Sequence, residues 1–416
     1  MRGRVVPVLE TRAEPLGQAF DLLAAYRRPT GVYVERRGMG IAGSFPTVTF
    51  GAPTPSGLTH VVAVLRSSVR RGRDVPPVAV GVLGFGPGGE HLHELVVPRR
   101  AVRRDRDGRA WRLDTNAVGD VAEGAPAFEP VVGGTPHEAF SELQLREVPP
   151  TGRYADAVRS AVERIREGEL RKVVLARTIE VDAGRRLDPR LLAQRLRAVD
   201  PDAYTFAAPT DHGVIVGASP ELLVSRRGFE VRSNPLAGSA ARSGDPEEDR
   251  ANADALVTSA KDREEHAIVV EAVAETLGPF CAELAWDPEP VLRETPNVWH
   301  LSTRFRGALK EPVPSALDLV AALHPTPAVA GTPREAALDL IGELEPFDRG
   351  RYAGPVGWVD ANGDGEWAIA LRCAELRDDR AILYAGAGVV ADSAPDRELD
   401  ETERKFRAFL DALRWG

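Results

Sequence analysis

Between Ser259 and Val273 the chain reads SAKDREEHAIVVEAV, and a helix of this sequence turns an acidic side chain toward its own apolar face. At 3.6 residues per turn, Glu265 falls on the same side as Ile268, Val269, Ala272 and Thr276. Asp and Glu are almost never fully buried alone, because an unpaired charge in a core costs several kcal/mol. Any fold available to this chain must therefore answer Glu265. A lysine or arginine, a metal ion, or a small rotation of the helix toward solvent would each do so.

A second helix raises the same question near the C-terminus. DRELDETERKFRAFLDAL (396–413) sets Glu398, Glu401 and Lys405 at i, i+3 and i+7, on a row leading to Phe409. Taken singly, this is a solvated charged face. Taken with Glu265, it offers carboxylates from two helices to a shared pocket, a donor set that suits Mg²⁺ with retained waters. Zinc fits less well, since His266, His300 and His324 are scattered and no cysteine joins them.

Other residues point to an anion and to proton transfer. Arg372 lies within the apolar run WAIALRCAEL (367–376), where a guanidinium needs a partner. Gly386 and Gly388 in YAGAGVV, and Gly238 in NPLAGS, let backbone N–H groups approach a ligand closely. Lys172 opens KVVLAR and Glu221 follows Pro220 in GASPELL. Desolvation lowers a lysine's pKa and raises a glutamate's, which would suit a base and an acid near neutral pH. Each residue also has a plain structural reading: a salt bridge, a turn, a strand end or a turn cap.

The rest of the chain narrows the class. Residues 1–150 are rich in strand and loop signals, with VPPVAVGVLGF (75–85), ELVVPRRAV (94–102) and RAWRLDT (109–115) as strands. A Pro/Gly-rich passage (124–136) follows, and Pro149-Pro150 marks an internal border. Gly84, Gly86 and Gly89 satisfy G-x-G-x-x-G, but a β-type run follows them instead of a helix, so they form a hairpin turn. Beyond 150 come a helix from 151, a strand at 172–181, two strands within 212–233 and a long helix over 246–278. Strands at 357–360, 367–376 and 380–390 and a helix at about 395–414 complete the chain. This alternation predicts an α/β or α+β layered fold.

A net charge of −9 argues against a nucleic-acid partner, though it allows an anionic substrate in a locally positive pocket. The two cysteines, Cys281 and Cys373, form neither a disulfide framework nor a thiolate metal site. The N-terminus has no signal-peptide pattern and no apolar run is long enough to span a membrane, so a cytoplasmic protein is expected.

In order along the chain, KVVLAR (172–177), GASPELL (217–223), NPLAGSAA (234–241), KDREEH (261–266), VWHLST (298–303), LHPTPAVAGTP (323–333), YAGPVGW (352–358), ALRCAEL (370–376), AGAGVVADS (385–393) and ELDETERK (398–405) resemble the chorismate-utilising enzymes. Within them the likeness is to the isochorismate synthases, densely from 150 to 416 and only in general character before that. The resemblance implies an α+β fold in one large domain, with two β-sheets packed together and helices outside. It also implies chorismate as substrate and Mg²⁺ held by Glu265 and Glu401, with Glu398 supporting through water. By the same resemblance Lys172 is the base that activates water for attack at ring C2, and Glu221 the acid that protonates the departing C4 hydroxyl. Arg372 and Tyr352 would clamp the enolpyruvyl carboxylate, while Gly238 and Gly386 approach the substrate through their backbone. Lys405 would lie near the ring carboxylate and His300 against the ring. The product would feed menaquinone, a siderophore or another metabolite.

Other branches of the family fit less well. An aminodeoxychorismate enzyme carries a nucleophilic lysine where this chain has Ala237, and Lys172 favours water over ammonia, so no glutaminase partner is expected. The salicylate synthases are the runner-up; their pattern has a threonine where this chain has Ala328, and alanine favours release of isochorismate. An inactive relative would have lost one of Lys172, Glu221, Glu265 or Glu401, and a phosphoryl-transfer enzyme would show a GxxxxGK[ST] run. A monomer is expected.

Overall fold

The computed structural model describes residues 8–17, 20–72, 75–86, 93–118 and 143–414. The Pro/Gly-rich passage at 124–136 and most of the GPGGE turn lie outside the described residues.

Strand pairing builds two β-layers. One runs, by hydrogen bonding, through Gln144–Val148, Lys172–Asp182, Arg380–Val389, Cys373–Arg377, Val214–Ser219, Tyr204–Pro209 and Val32–Arg36. The other runs through Val78–Val82, Pro355–Asp360, Gly365–Ile369, Leu222–Arg227, Glu230–Asn234, Phe305–Leu309 and Cys281–Trp286. All of these pairs are antiparallel. The long strands Met39–Ala52 and His93–Arg104 pair with each other and link the layers, since the first also pairs with Val32–Arg36 and the second with Val78–Val82. Among the described residues twenty strands share one continuous network, beside a separate sheet of Leu236–Ala241, Val298–Ser302 and Val291–Glu294.

Period-2 alternation explains what packs between and outside the layers. Val173, Leu175 and Ile215 of the first layer meet Val231, Val356 and Trp367 of the second in one apolar cluster. Farther along, Val216, on the opposite side of its strand from Ile215, and Ile179 and Val181, in phase with Val173 and Leu175 on theirs, belong to a second cluster on an outer face. Two amphipathic helices cover that outer face, Pro189–Val199 through Leu192 and Leu196, and Pro395–Arg414 through Phe406, Phe409 and Leu413. The fold is α+β, with β-layers inside and helices outside.

Four elements differ from the sequence reading. The long helix at 246–278 is two, Pro246–Thr258 and Ala260–Leu277, because Ser259 leaves the helical region and caps the second through the Asp262 N–H. The buried stripe of that second helix runs through Glu265, His266, Ile268, Val269, Val273 and Leu277, which leaves Ala272 and Thr276 at its margin. Residues 212–233 form three strands instead of two. Finally, WAIALRCAEL is not one strand: Gly365–Ile369 belongs to the second layer and Cys373–Arg377 to the first, and the chain crosses over Ala370–Arg372. Arg372 makes that crossing in the left-handed region, at φ 49°. Next to it, Pro220 and Glu221 carry the chain from Val214–Ser219 to Leu222–Arg227, which is also a passage between layers. Two neighbouring crossovers leave a gap in both layers, and the site lies there.

Candidate active site

The floor of the site is set by strand register. Gly386 pairs with Ala176 and Gly388 with Val174, so the glycines and Val174 meet on adjacent strands. A Cβ on Gly388 would fall 2.1 Å from Glu265 Oε1; glycine is what admits that carboxylate to the strand surface. A Cβ on Gly386 would lie 3.1 Å from the Tyr352 hydroxyl.

Above this floor lies a small cavity that is continuous with solvent. Glu221, Gly238, Glu265, His300, Ala328, Tyr352, Arg372, Gly386, Glu401 and Lys405 all line it, although they come from nine separate stretches of the sequence. Lys172 and Glu398 sit just behind the lining, with side chains 0% and 1% exposed.

The charges are arranged in pairs. Facing Glu265 is Lys172, whose Nζ lies 3.0 Å from Oε1 but without hydrogen-bond geometry, so the buried ammonium keeps unused donors. Lys261 Nζ donates to Glu398 Oε1 at 2.6 Å. Lys405 Nζ donates to Glu401 Oε1 at 2.5 Å and to the Gly386 carbonyl at 2.8 Å, which ties the C-terminal helix to the floor. Burial and the neighbouring Glu401 push Glu398 up despite Lys261. Burial also opposes ionisation of Glu401, yet Lys405, and then Lys261, hold it below the usual carboxylate range.

Glu221 and Arg372 stand apart from this pairing. Burial raises the Glu221 carboxyl to about 7 against the charge of Lys172, so near neutral pH it holds a proton about half the time. Arg372 has no carboxylate within ion-pair distance among the described residues; its Nη2 donates to His300 Nε2 at 3.1 Å. His300 Nδ1 in turn meets the Gly238 carbonyl at 3.3 Å, and burial beside Arg372 and Lys405 keeps the ring neutral. One nitrogen donates to the Gly238 carbonyl and the other accepts from Arg372, so His300 orients the guanidinium.

The residues also suit a hard cation. Glu265 and Glu401 reach one cavity from two helices, and the Ser239 hydroxyl lies beside Glu401. Among the described residues no group of three His, Cys, Asp or Glu side chains is gathered at metal-binding distance, and each carboxylate instead meets a lysine. Mg²⁺ takes one or two carboxylates and keeps its waters, so a pair of glutamates satisfies it without a closed cage.

Comparison with known proteins agrees with this geometry. The profile of the family described as chorismate binding enzyme matches residues 130–414. The chain belongs to that family. It is similar to isochorismate synthase DhbC of Bacillus subtilis (strain 168), with 47% identity over 283 residues, covering 66% of this chain and 71% of the relative. A putative isochorismate synthase of Aeromonas hydrophila is 36% identical over 357 residues and covers 86% of both chains. Among solved structures, a putative 2,3-dihydroxybenzoate-specific isochorismate synthase, DhbC from Bacillus anthracis, superimposes with a TM-score of 0.80 at 38% identity, covering 94% of this chain and 98% of that one.

Several residues around this chorismate-binding fold's cavity escaped the sequence reading. Lys261 pairs with Glu398, Ser239 sets its hydroxyl beside Glu401, and Ala353 lines the cavity at φ 61°. Lys261 was legible as the neighbour of a cap, one turn before Glu265. Ser239 and Ala353 carry no signal of their own, because their roles come from partners far away in sequence.

Proposed function

We propose that this protein is an isochorismate synthase, converting chorismate to isochorismate by adding water at ring C2 as the C4 hydroxyl departs. One observation carries the reading: a single cavity holds a guanidinium with no carboxylate partner, a carboxyl raised to about 7, and two further carboxylates each facing a lysine.

Lys172 in its neutral form takes a proton from the attacking water; its ammonium form is the one that pairs with Glu265. Glu221 in its protonated form gives a proton to the leaving C4 oxygen, which departs as water. One water enters and one leaves, so substrate and product are isomers and no redox cofactor takes part. The reverse reaction uses the same two groups with exchanged protonation. Arg372, held by His300, takes the enolpyruvyl carboxylate in the two-point geometry that guanidinium provides, with the Tyr352 hydroxyl beside it. Lys405 lies where a ring carboxylate would meet positive charge. Mg²⁺, held by Glu265 and Glu401 with Glu398 behind them, would supply the charge that lets a dianion settle among glutamates. Ala328 keeps that stretch of wall small and apolar, which supports release of isochorismate over further elimination.

The test is to incubate purified protein with chorismate and Mg²⁺ and separate the products by chromatography. Isochorismate is expected, with loss of turnover on chelation and recovery on adding Mg²⁺. Equal amounts of salicylate and pyruvate would move the chain to the salicylate branch, and unconsumed chorismate would end the reading.

A further inference from the structure

A second buried ion pair adjoins the cavity without opening into it. Glu345 and Arg349 are each 3% exposed at the side chain. Arg349 Nε donates to Glu345 Oε2 at 2.8 Å, Nη1 to the Val329 carbonyl at 2.7 Å, and Nη2 to the Val174 carbonyl at 2.7 Å. Glu345 Oε1 accepts from the Ala176 N–H at 2.7 Å. The backbone of Arg349 accepts from the Tyr352 N–H at 2.9 Å, and its guanidinium lies 5.9 Å from the Tyr352 ring centroid. Val174, Val329 and Tyr352 all line the cavity. The pair therefore holds three of its walls at once: the strand under the floor, the loop carrying Ala328, and the tyrosine beside Arg372.

We propose that Glu345 and Arg349 form a positioning unit for turnover, which fixes the separation of the Val174 strand from the Ala328–Val329 loop and the seat of Tyr352. The pair touches no substrate and acts through those walls. This rests on the isochorismate synthase reading. A displacement of about 1 Å at a reacting centre can cost about 10²-fold in rate, and a three-point brace of this kind sets that distance.

The test compares wild type with Arg349→Lys, Arg349→Met and the double variant Glu345→Gln/Arg349→Met, by steady-state kinetics with chorismate and Mg²⁺ and by thermal unfolding. Lysine keeps the charge but cannot reach both carbonyls and the carboxylate. For Arg349→Lys we expect kcat to fall roughly 10- to 100-fold with KM within about threefold and an unchanged pH midpoint, since the acid and base are untouched. Arg349→Met strands a buried carboxylate and lowers Tm, while the double variant removes that charge and recovers most of the Tm. Its kcat should stay low. Recovery of kcat in step with Tm would make the pair purely structural and overturn the proposal, as would Arg349→Lys with kcat within twofold of wild type. Wild-type protein that leaves chorismate unchanged would overturn the activity reading and this proposal with it.

Discussion

Arg349 and Arg372 border the same cavity from opposite situations. Arg349 is saturated: a carboxylate and two carbonyls take its donors, and every partner belongs to the protein. Among the described residues the Arg372 side chain donates only to a neutral histidine; it stands at a crossover with φ 49° and lines the cavity. The same contrast separates Glu345, which accepts two hydrogen bonds from Arg349 and a backbone N–H, from Glu221, whose carboxyl is pushed up to about 7 because its burial outweighs the charge of Lys172 and the Leu236 backbone. A buried charge with all its partners in the fold holds the fold together. A buried charge lacking partners is kept at a cost to stability and marks where a ligand completes the set.

That contrast can be broken most severely at the groups assigned to proton transfer. Lys172→Ala and Glu221→Gln should each lower kcat by about 10³-fold or more while the far-UV circular dichroism stays that of the wild type; rates near normal would remove the acid–base assignment. Next comes stability. Arg349→Met should cost about 3–5 kcal/mol by stranding Glu345, whereas Arg372→Met should stay within about 1 kcal/mol, both read from urea unfolding at pH 7. Equal losses at the two sites would erase the distinction between saturated and unsaturated charge. A milder change, Arg372→Lys, should raise KM about 10- to 100-fold with a smaller effect on kcat, because a point charge cannot reproduce a two-point clamp. An unchanged KM would count against the carboxylate role.

The smallest effect concerns pH. The Glu221 carboxyl has a folded-state value of about 7 against an ordinary 4.5, so the folded protein binds the proton more tightly than the unfolded chain. The stability this gives is fully present below 4.5 and is lost as pH rises through 7. Glu221→Gln should therefore be more stable than wild type at pH 8, by about 1–3 kcal/mol, and indistinguishable from it near pH 4.5. A gain of the same size at both pH values would show that the carboxyl's titration is not the cause.

Much of the site was readable before any coordinates. The Lys172 strand and the C-terminal helix end within a residue of where the sequence places them, since the first is a long apolar, β-branched run and the second a long amphipathic helix. The helix break at 259 was missed although its signal is in the sequence: Ser259 stands three residues before Asp262, an N-cap spacing inside an otherwise continuous pattern. The break at Ala370–Arg372 had no such signal. No glycine or proline marks it, and only the change of pairing partners from Leu222–Arg227 to Val214–Ser219 reveals it. Glu265 was foreseen as inward-facing, and both a lysine and a metal were open as its answer; in the structure the lysine is Lys172, 93 positions away in a different element.

By itself the sequence determined which segments are strands and helices, which acidic and basic side chains turn inward, and which family motifs the chain carries. These follow from periodicity and residue type, which are local properties. Only the tertiary structure decided that Gly388 makes room for a carboxylate, that Arg349 is braced by a carboxylate and two carbonyls, and that Arg372 is held by a histidine instead. Whether a buried charge is satisfied depends on partners brought from distant parts of the chain, and the fold alone sets those distances.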